Sequence, residues 1–200
     1  MADRPYHHGN LRSALLAAAE RTLRERGAQA LSLRELARDV GVSHAAPRRH
    51  FPDRQALLEA LAQEGFARLG IELGAAVDGE REDFVARMRA IGAAYIRFAT
   101  RDAALLELMF ASKHHDEQAG SLEEAAERAF AVMLEVIEQG QREGVLDAGD
   151  PERVGLVLFA TVQGIAAMVS AGIVAPEQVD ELLDDAIEHF LRGSRAVAPS

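Results

Sequence analysis

Residues 32–54, Ser-Leu-Arg-Glu-Leu-Ala-Arg-Asp-Val-Gly-Val-Ser-His-Ala-Ala-Pro-Arg-Arg-His-Phe-Pro-Asp-Arg, read as two short helices hinged at Gly41. Ser32 followed three residues later by Glu35 is a capping-box pattern. It predicts a helix starting there, with Leu33, Leu36, Ala37 and Val40 turned inward. Gly41 supplies the backbone freedom that a tight turn between helices needs. Ser43 is placed to cap a second helix opening with His44, Ala45 and Ala46. Two helices joined in this way follow the helix-turn-helix plan, in which the second enters a DNA major groove by its N-terminal end.

The residue types suit that plan. The small side chains of Ala45 and Ala46 let a helix come close to base edges and touch a thymine methyl, while His44 and Arg34 are candidates to hydrogen-bond a base edge. Ser32, Arg48, Arg49, His50 and Arg54 are candidates for the flanking phosphates, and Ser43 belongs to the same DNA-binding set. Pro47, at the fourth position of the second helix, removes its first intrahelical hydrogen bond. Taken alone, the segment also fits a solvated helical hairpin whose arginines only confer solubility.

The surrounding sequence adds to this. His8-Gly9-Asn10-Leu11-Arg12, Ala14-Leu15-Leu16-Ala17-Ala18-Ala19 and Leu31-Ser32-Leu33-Arg34-Glu35-Leu36-Ala37 precede the turn. Gly41-Val42-Ser43, His50-Phe51-Pro52-Asp53-Arg54 and Ala56-Leu57-Leu58 follow. In this order and spacing the first 60 or so residues resemble the TetR family of bacterial transcriptional regulators. The family usually has an aromatic, most often tyrosine, where this chain has Arg48, which exchanges packing on the DNA backbone for a cation. The resemblance implies an N-terminal three-helix DNA-binding domain over residues 1–54 and a helical ligand-binding and dimerisation domain over 55–200. It implies a regulator, usually a repressor, that binds double-stranded operator DNA as a homodimer.

A net charge of −10 looks wrong for a DNA binder until it is divided. Residues 1–54 carry ten arginines against six acidic residues, net +4, whereas residues 55–200 carry twelve basic against twenty-six acidic residues, net −14. The basic part coincides with the helix-turn-helix, and the acidic remainder is repelled by DNA. With 48% apolar residues in 200, the chain can bury a substantial core. The lack of cysteine excludes disulfides and suits the cytoplasm. The opening Met-Ala-Asp-Arg-Pro-Tyr-His-His has no apolar run, so no secretory signal is expected.

The rest reads as helix after helix, an all-α fold of about nine in total. A first helix runs from about Asn10 to Arg26, and a fourth starts behind Asp53 and breaks at Asp78-Gly79. A fifth lies near Glu82 to Thr100 and a short sixth spans Asp102 to Ser112. Lys113 to Gly120 is a polar loop. Ser121, with Glu124 three residues on, caps a seventh helix, while Asp150-Pro151 and Pro176 open the eighth and ninth.

Val154 to Ala175 holds 22 residues without a charge, long enough to span a membrane. Thr161, Gln163, Gly155, Gly164 and Ser170 interrupt it and no basic flank orients it, so no membrane partner is expected. Burial against its own core and a second subunit explains it equally well. The resemblance favours the subunit, because family members dimerise through their last two helices. Leu158, Val162, Met168, Val179, Leu183 and Phe190 are the candidates for that interface. The run Val162-Gln163-Gly164-Ile165 is similar to a C-terminal subgroup of the family that has histidine where Gln163 stands.

Met88, Tyr95, Phe98, Met109, Phe110 and Met133 offer soft and aromatic surface for a ligand cavity, or equally for a plain core. The family's use of this region for a small molecule favours the cavity, with an unknown, mainly hydrophobic effector. His7-His8 and His114-His115-Asp116-Glu117 are the dense metal-ligand clusters, but adjacent side chains diverge on a helix, so no metal is expected. His7, His8 and Arg4 better suit an arm that touches DNA. No catalytic constellation has diagnostic spacing, and neither a cofactor nor an enzymatic activity is expected. The alternative to a regulator is a helical dimer that binds ligands or proteins and no longer binds DNA.

Overall fold

The computed structural model describes residues 11–79, 83–112 and 120–194. Its α-helices in chain order are α1 (Leu11–Arg26), α2 (Leu33–Asp39), α3 (Arg54–Asp78), α4 (Phe84–Arg101), α5 (Ala103–Ser112), α6 (Gly120–Arg142), α7 (Pro151–Ser170) and α8 (Val179–Gly193). Short 3-10 turns occupy Ala28–Ala30, Pro47–Arg49 and Pro176–Gln178, and no strand occurs among the described residues.

Single side chains set several helix starts. The Asp83 carboxylate accepts the Val85 N–H at 2.8 Å at the head of α4. Asp150 accepts the Glu152 N–H at 3.0 Å, with Pro151 as the first helical residue of α7. Asp53 accepts the Ala56 N–H at 2.9 Å and so anchors α3. Two expected starts move. Helix α6 already includes Gly120, and the Ser121 hydroxyl accepts Gln63 Nε2 at 2.8 Å instead of capping. The ninth helix opens as a 3-10 turn at Pro176 and becomes α8 at Val179, with Gln178 Oε1 accepting the Ala175 N–H at 3.1 Å. The polar loop before Gly120, with its His114–Glu117 cluster, and the N-terminal histidines lie outside the described residues.

Two compact units emerge. The first takes the described residues up to Gly65 together with those of Ala104–Glu123. Leu15, Leu16, Leu23, Leu36, Phe51, Leu57 and Leu61 form its core. The second takes Phe66–Ala103 and the described residues from Glu124 onward. Its centre is α4, which packs on α7 and α8 and buries Met88, Ile91, Tyr95 and Phe98. Close approach there depends on glycine: a Cβ on Gly92 would come within 2.8 Å of Leu183 Cδ1, and one on Gly155 within 3.2 Å of Met133 Cε. Where α4 ends, Arg101 bonds Glu72 at 2.7 Å and Asp102 at 2.8 Å. Arg68 and Arg101 lie over the Phe98 ring at 5.8 and 5.5 Å.

Helix α7 is long and apolar enough to cross a bilayer by length and composition, yet here it packs against α4 and α8. Leu158, Val162, Leu183 and Phe190, expected at a subunit contact, are instead buried within their own chain, and Met168 and Val179 are half-buried. The face of α7 left open presents Leu156 (64% exposed) and Val157 (56%), with Ala160, Gly164 and Ala167. A helix with no charged side marks no inner side by sequence, and packing made the choice.

Candidate nucleic-acid interface and ligand cavity

The turn after α2 forms as expected. Gly41 takes a positive φ of 74°, and Val42 N–H donates to Ala37 O at 2.9 Å, which closes the helix with a left-handed residue. Ser32 occupies the cap position of α2 in extended geometry, but its side chain makes no capping hydrogen bond. The expected capping box is therefore present only as a sequence pattern. Leu36 and Ala37 are buried and hold α2 on the core, whereas Leu33 and Val40 are half-buried.

The second helix of the motif is not an α-helix. Ala46 N–H donates to Ser43 O at 3.0 Å in a turn over His44 and Ala45, and a 3-10 turn follows at Pro47–Arg49. Proline has no N–H to give to the Ser43 carbonyl, so the α-helical ladder that Ser43 was expected to start is not extended. Pro47 and Phe51 are buried and pin the segment at both ends. Between and before them, Arg34, Ser43, His44, Ala45, Arg48, Arg49 and His50 are exposed, while Ser32 and Ala46 are half-buried. Among the described residues Arg34, Arg48 and Arg49 enter no ion pair, which leaves their charge to solvent. Arg38, one turn beyond Arg34, is also exposed and lies 3.8 Å from Asp39.

Arg54 departs from its expected role. Its Nε donates to Leu31 O at 3.1 Å and its Nη2 to Ala28 O at 2.6 Å. Ala28 opens the 3-10 turn after α1 and Leu31 follows it, so the guanidinium braces the start of α3 against both ends of that turn. Arg54, expected at the phosphates, thus has its Nε and Nη2 engaged inside the protein.

Of the six residues expected to line a ligand cavity, Tyr95 and Met133 border a cavity. They share a small, largely apolar cavity in the second unit with Leu73, Ile91, Phe130 and Phe159. Its volume is about 10 Å³, room for one water-sized body. Leu158 and Val162 also line it, so two residues expected at the dimer contact serve the interior. Met88 and Phe98 are buried but outside its wall, and Met109 and Phe110 belong to the first unit. Phe159 stands edge-on to Tyr95 at 5.3 Å and to Phe130 at 5.1 Å. The Tyr95 hydroxyl donates to Gln163 Oε1, and burial pushes its pKa well above the ordinary phenol value. Periodicity identified α4 and α6 as core-forming but not which of their apolar residues surround empty space. No metal-ligand group of three or more occurs among the described residues.

Comparison with known proteins agrees with this arrangement. Residues 15–61 match the family described as bacterial regulatory proteins, tetR family, and residues 88–190 match the tetracyclin repressor-like C-terminal domain. The chain is similar to the nucleoid occlusion factor SlmA of Serratia proteamaculans, 29% identical over 82% of this chain and 85% of that one. A solved structure of a protein of unknown function from Rhodococcus sp. RHA1 is 43% identical, with a TM-score of 0.89 over 97% of this chain and 100% of that one. PfmR of Thermus thermophilus, a TetR family transcriptional regulator, shares the fold at 19% identity, with a TM-score of 0.68 over 89% of this chain and 97% of that one. Helix-turn-helix, helical C-terminal domain and both family matches converge: this chain belongs to the TetR family and is a DNA-binding transcriptional regulator.

Proposed function

We propose that the protein is a homodimeric repressor that leaves a palindromic operator when a small, mainly hydrophobic effector binds. The observation carrying this is the exposed basic set around the turn, Arg34, Arg48 and Arg49 free of ion pairs among the described residues with His44 beside them, held on the core by Pro47 and Phe51. In this proposal Arg34 and His44 meet base edges, with Ala45 and Ala46 allowing close approach. Ser32, Ser43, Arg48, Arg49 and His50 hold phosphates. One such segment makes too few contacts for tight specific binding, so two are needed. A two-fold dimer would present them to half-sites about one DNA turn, roughly 34 Å, apart or a multiple of it.

The open apolar face of α7, centred on Leu156 and Val157, is the surface we assign to the partner subunit rather than to a membrane. Action is by binding rather than turnover, in the cytoplasm where operator DNA is reached. The effector would enter the cavity beside Tyr95. Helix α3 contributes its first residues to one unit and its last to the other, which makes it a covalent route between effector and DNA segment. A ligand shifts such a balance only through different affinities for the two states, so operator DNA must weaken effector binding by the same factor. A gel shift with the DNA upstream of the protein's own gene tests the proposal. A shifted band that resists scrambled competitor is expected; no shift at micromolar protein overturns it.

A further inference from the structure

Arg87 is the one buried cation among the described residues, 7% exposed in the second unit. Its Nη1 donates to Gln139 Oε1, and Gln139 Nε2 donates in turn to Glu143 Oε1 at 2.6 Å. Its buried Nε has no hydrogen-bond partner, and the guanidinium makes no ion pair among the described residues. A buried guanidinium with an idle donor and no ion partner is costly. A carboxylate that reached it would satisfy the idle donor and the charge together.

The position of Arg87 says what else such a ligand must be. Arg87, Ile91 and Tyr95 follow one another at four-residue spacing along one stripe of α4, and the latter two line the cavity. Helix α6, which supplies Gln139, also supplies Phe130 and Met133 to the wall. We propose that Arg87 and this cavity form a binding site for a small carboxylic acid with an apolar body, the carboxylate on the guanidinium and the tail beside Ile91 and Met133. This rests on the cavity being the effector site, and it names the effector's chemical class. Arg87 stands one helical turn beyond the cavity wall, whose own residues carry no charge, so it would be the site's sole cation and a phosphate ester fits less well. The cavity is small as it stands, and the unbranched Met133 is the wall residue best able to yield.

Calorimetry on the full-length, DNA-free protein tests the site with octanoate against its neutral counterparts 1-octanol and methyl octanoate. Octanoate should bind at least about tenfold tighter than either, and Arg87→Gln should reduce that preference to within about twofold without weakening 1-octanol. Neutral compounds binding as tightly as the acid to the unaltered protein overturn the site, as does no octanoate binding at millimolar concentration. An unchanged preference in Arg87→Gln overturns it too. Should that variant not fold by circular dichroism, the comparison on the unaltered protein decides alone. Operator release is read separately by gel shift: octanoate binding without release upholds the acid site and removes the regulatory role proposed for the cavity.

Discussion

The guanidinium of Arg54 donates to the backbone carbonyl of Ala28, with Nη2 and O 2.6 Å apart. A second bond, from Nε to Leu31 O at 3.1 Å, makes the arginine a bracket between the segment after α1 and the first turn of α3. A residue that sequence alone assigns to DNA is thereby engaged inside the protein.

Arg54→Ala should therefore act on stability first. Hydrogen bonds from a charged donor contribute about 1.5–3 kcal/mol, and loss of the pair should lower unfolding free energy by about 2 kcal/mol in a urea titration. The salt dependence of operator binding should keep its slope. Unchanged stability together with a slope reduced by about one would return Arg54 to the phosphates.

His44→Ala and Arg49→Ala should separate base reading from phosphate binding. Loss of His44 should cost ~1–3 kcal/mol on the operator and relax preference at one base position. Loss of Arg49 should weaken all DNA sequences alike and reduce the salt slope by about one. Binding measured at several salt concentrations on operator and random DNA distinguishes the two patterns.

Leu156→Glu and Leu158→Asp lie two residues apart on α7 and should behave differently. Leu156 is 64% exposed, and a charge there should yield a folded monomer in sedimentation experiments. Leu158 is 2% exposed inside the second unit, and a charge there should destabilise the chain by several kcal/mol before any question of assembly arises. A stable dimer of Leu156→Glu would move the subunit contact elsewhere.

Tyr95 gives the fold an alkaline limit. Burial raises its folded pKa above the unfolded value of about 10. The unfolded chain then loses that proton first, so the stabilising contribution is full below about pH 10 and declines as pH rises beyond it. Tyr95→Phe should flatten this decline in urea titrations across the alkaline range; an identical decline in both proteins would assign it to other groups.

Much of the architecture is written locally. Asp53, Asp83 and Asp150 each place a carboxylate where it meets the free N–H groups of a helix start, and these interactions reach only two or three residues. Gly41 is similar: its positive φ is a demand of the turn itself. The division of charge between residues 1–54 and the rest also needs no coordinates.

Tertiary structure decided whatever depended on a distant partner. Leu156 and Leu158 are the same residue type in the same uncharged run, and only the packing of α4 and α8 on α7 separates an open face from a buried one. Arg54 meets carbonyls more than twenty residues away, and Arg87 is buried where α4 and α6 meet, neither visible in local spacing. Pro47 stands between the two cases: its missing N–H, which interrupts the α-helical ladder, was legible, but its burial beside the core with Phe51 was not. Local hydrogen bonding and periodicity act over one or two helical turns and so can be read along the chain. Burial, and with it the cost of a charge or the opening of a cavity, belongs to surfaces that exist only after helices distant in sequence have met.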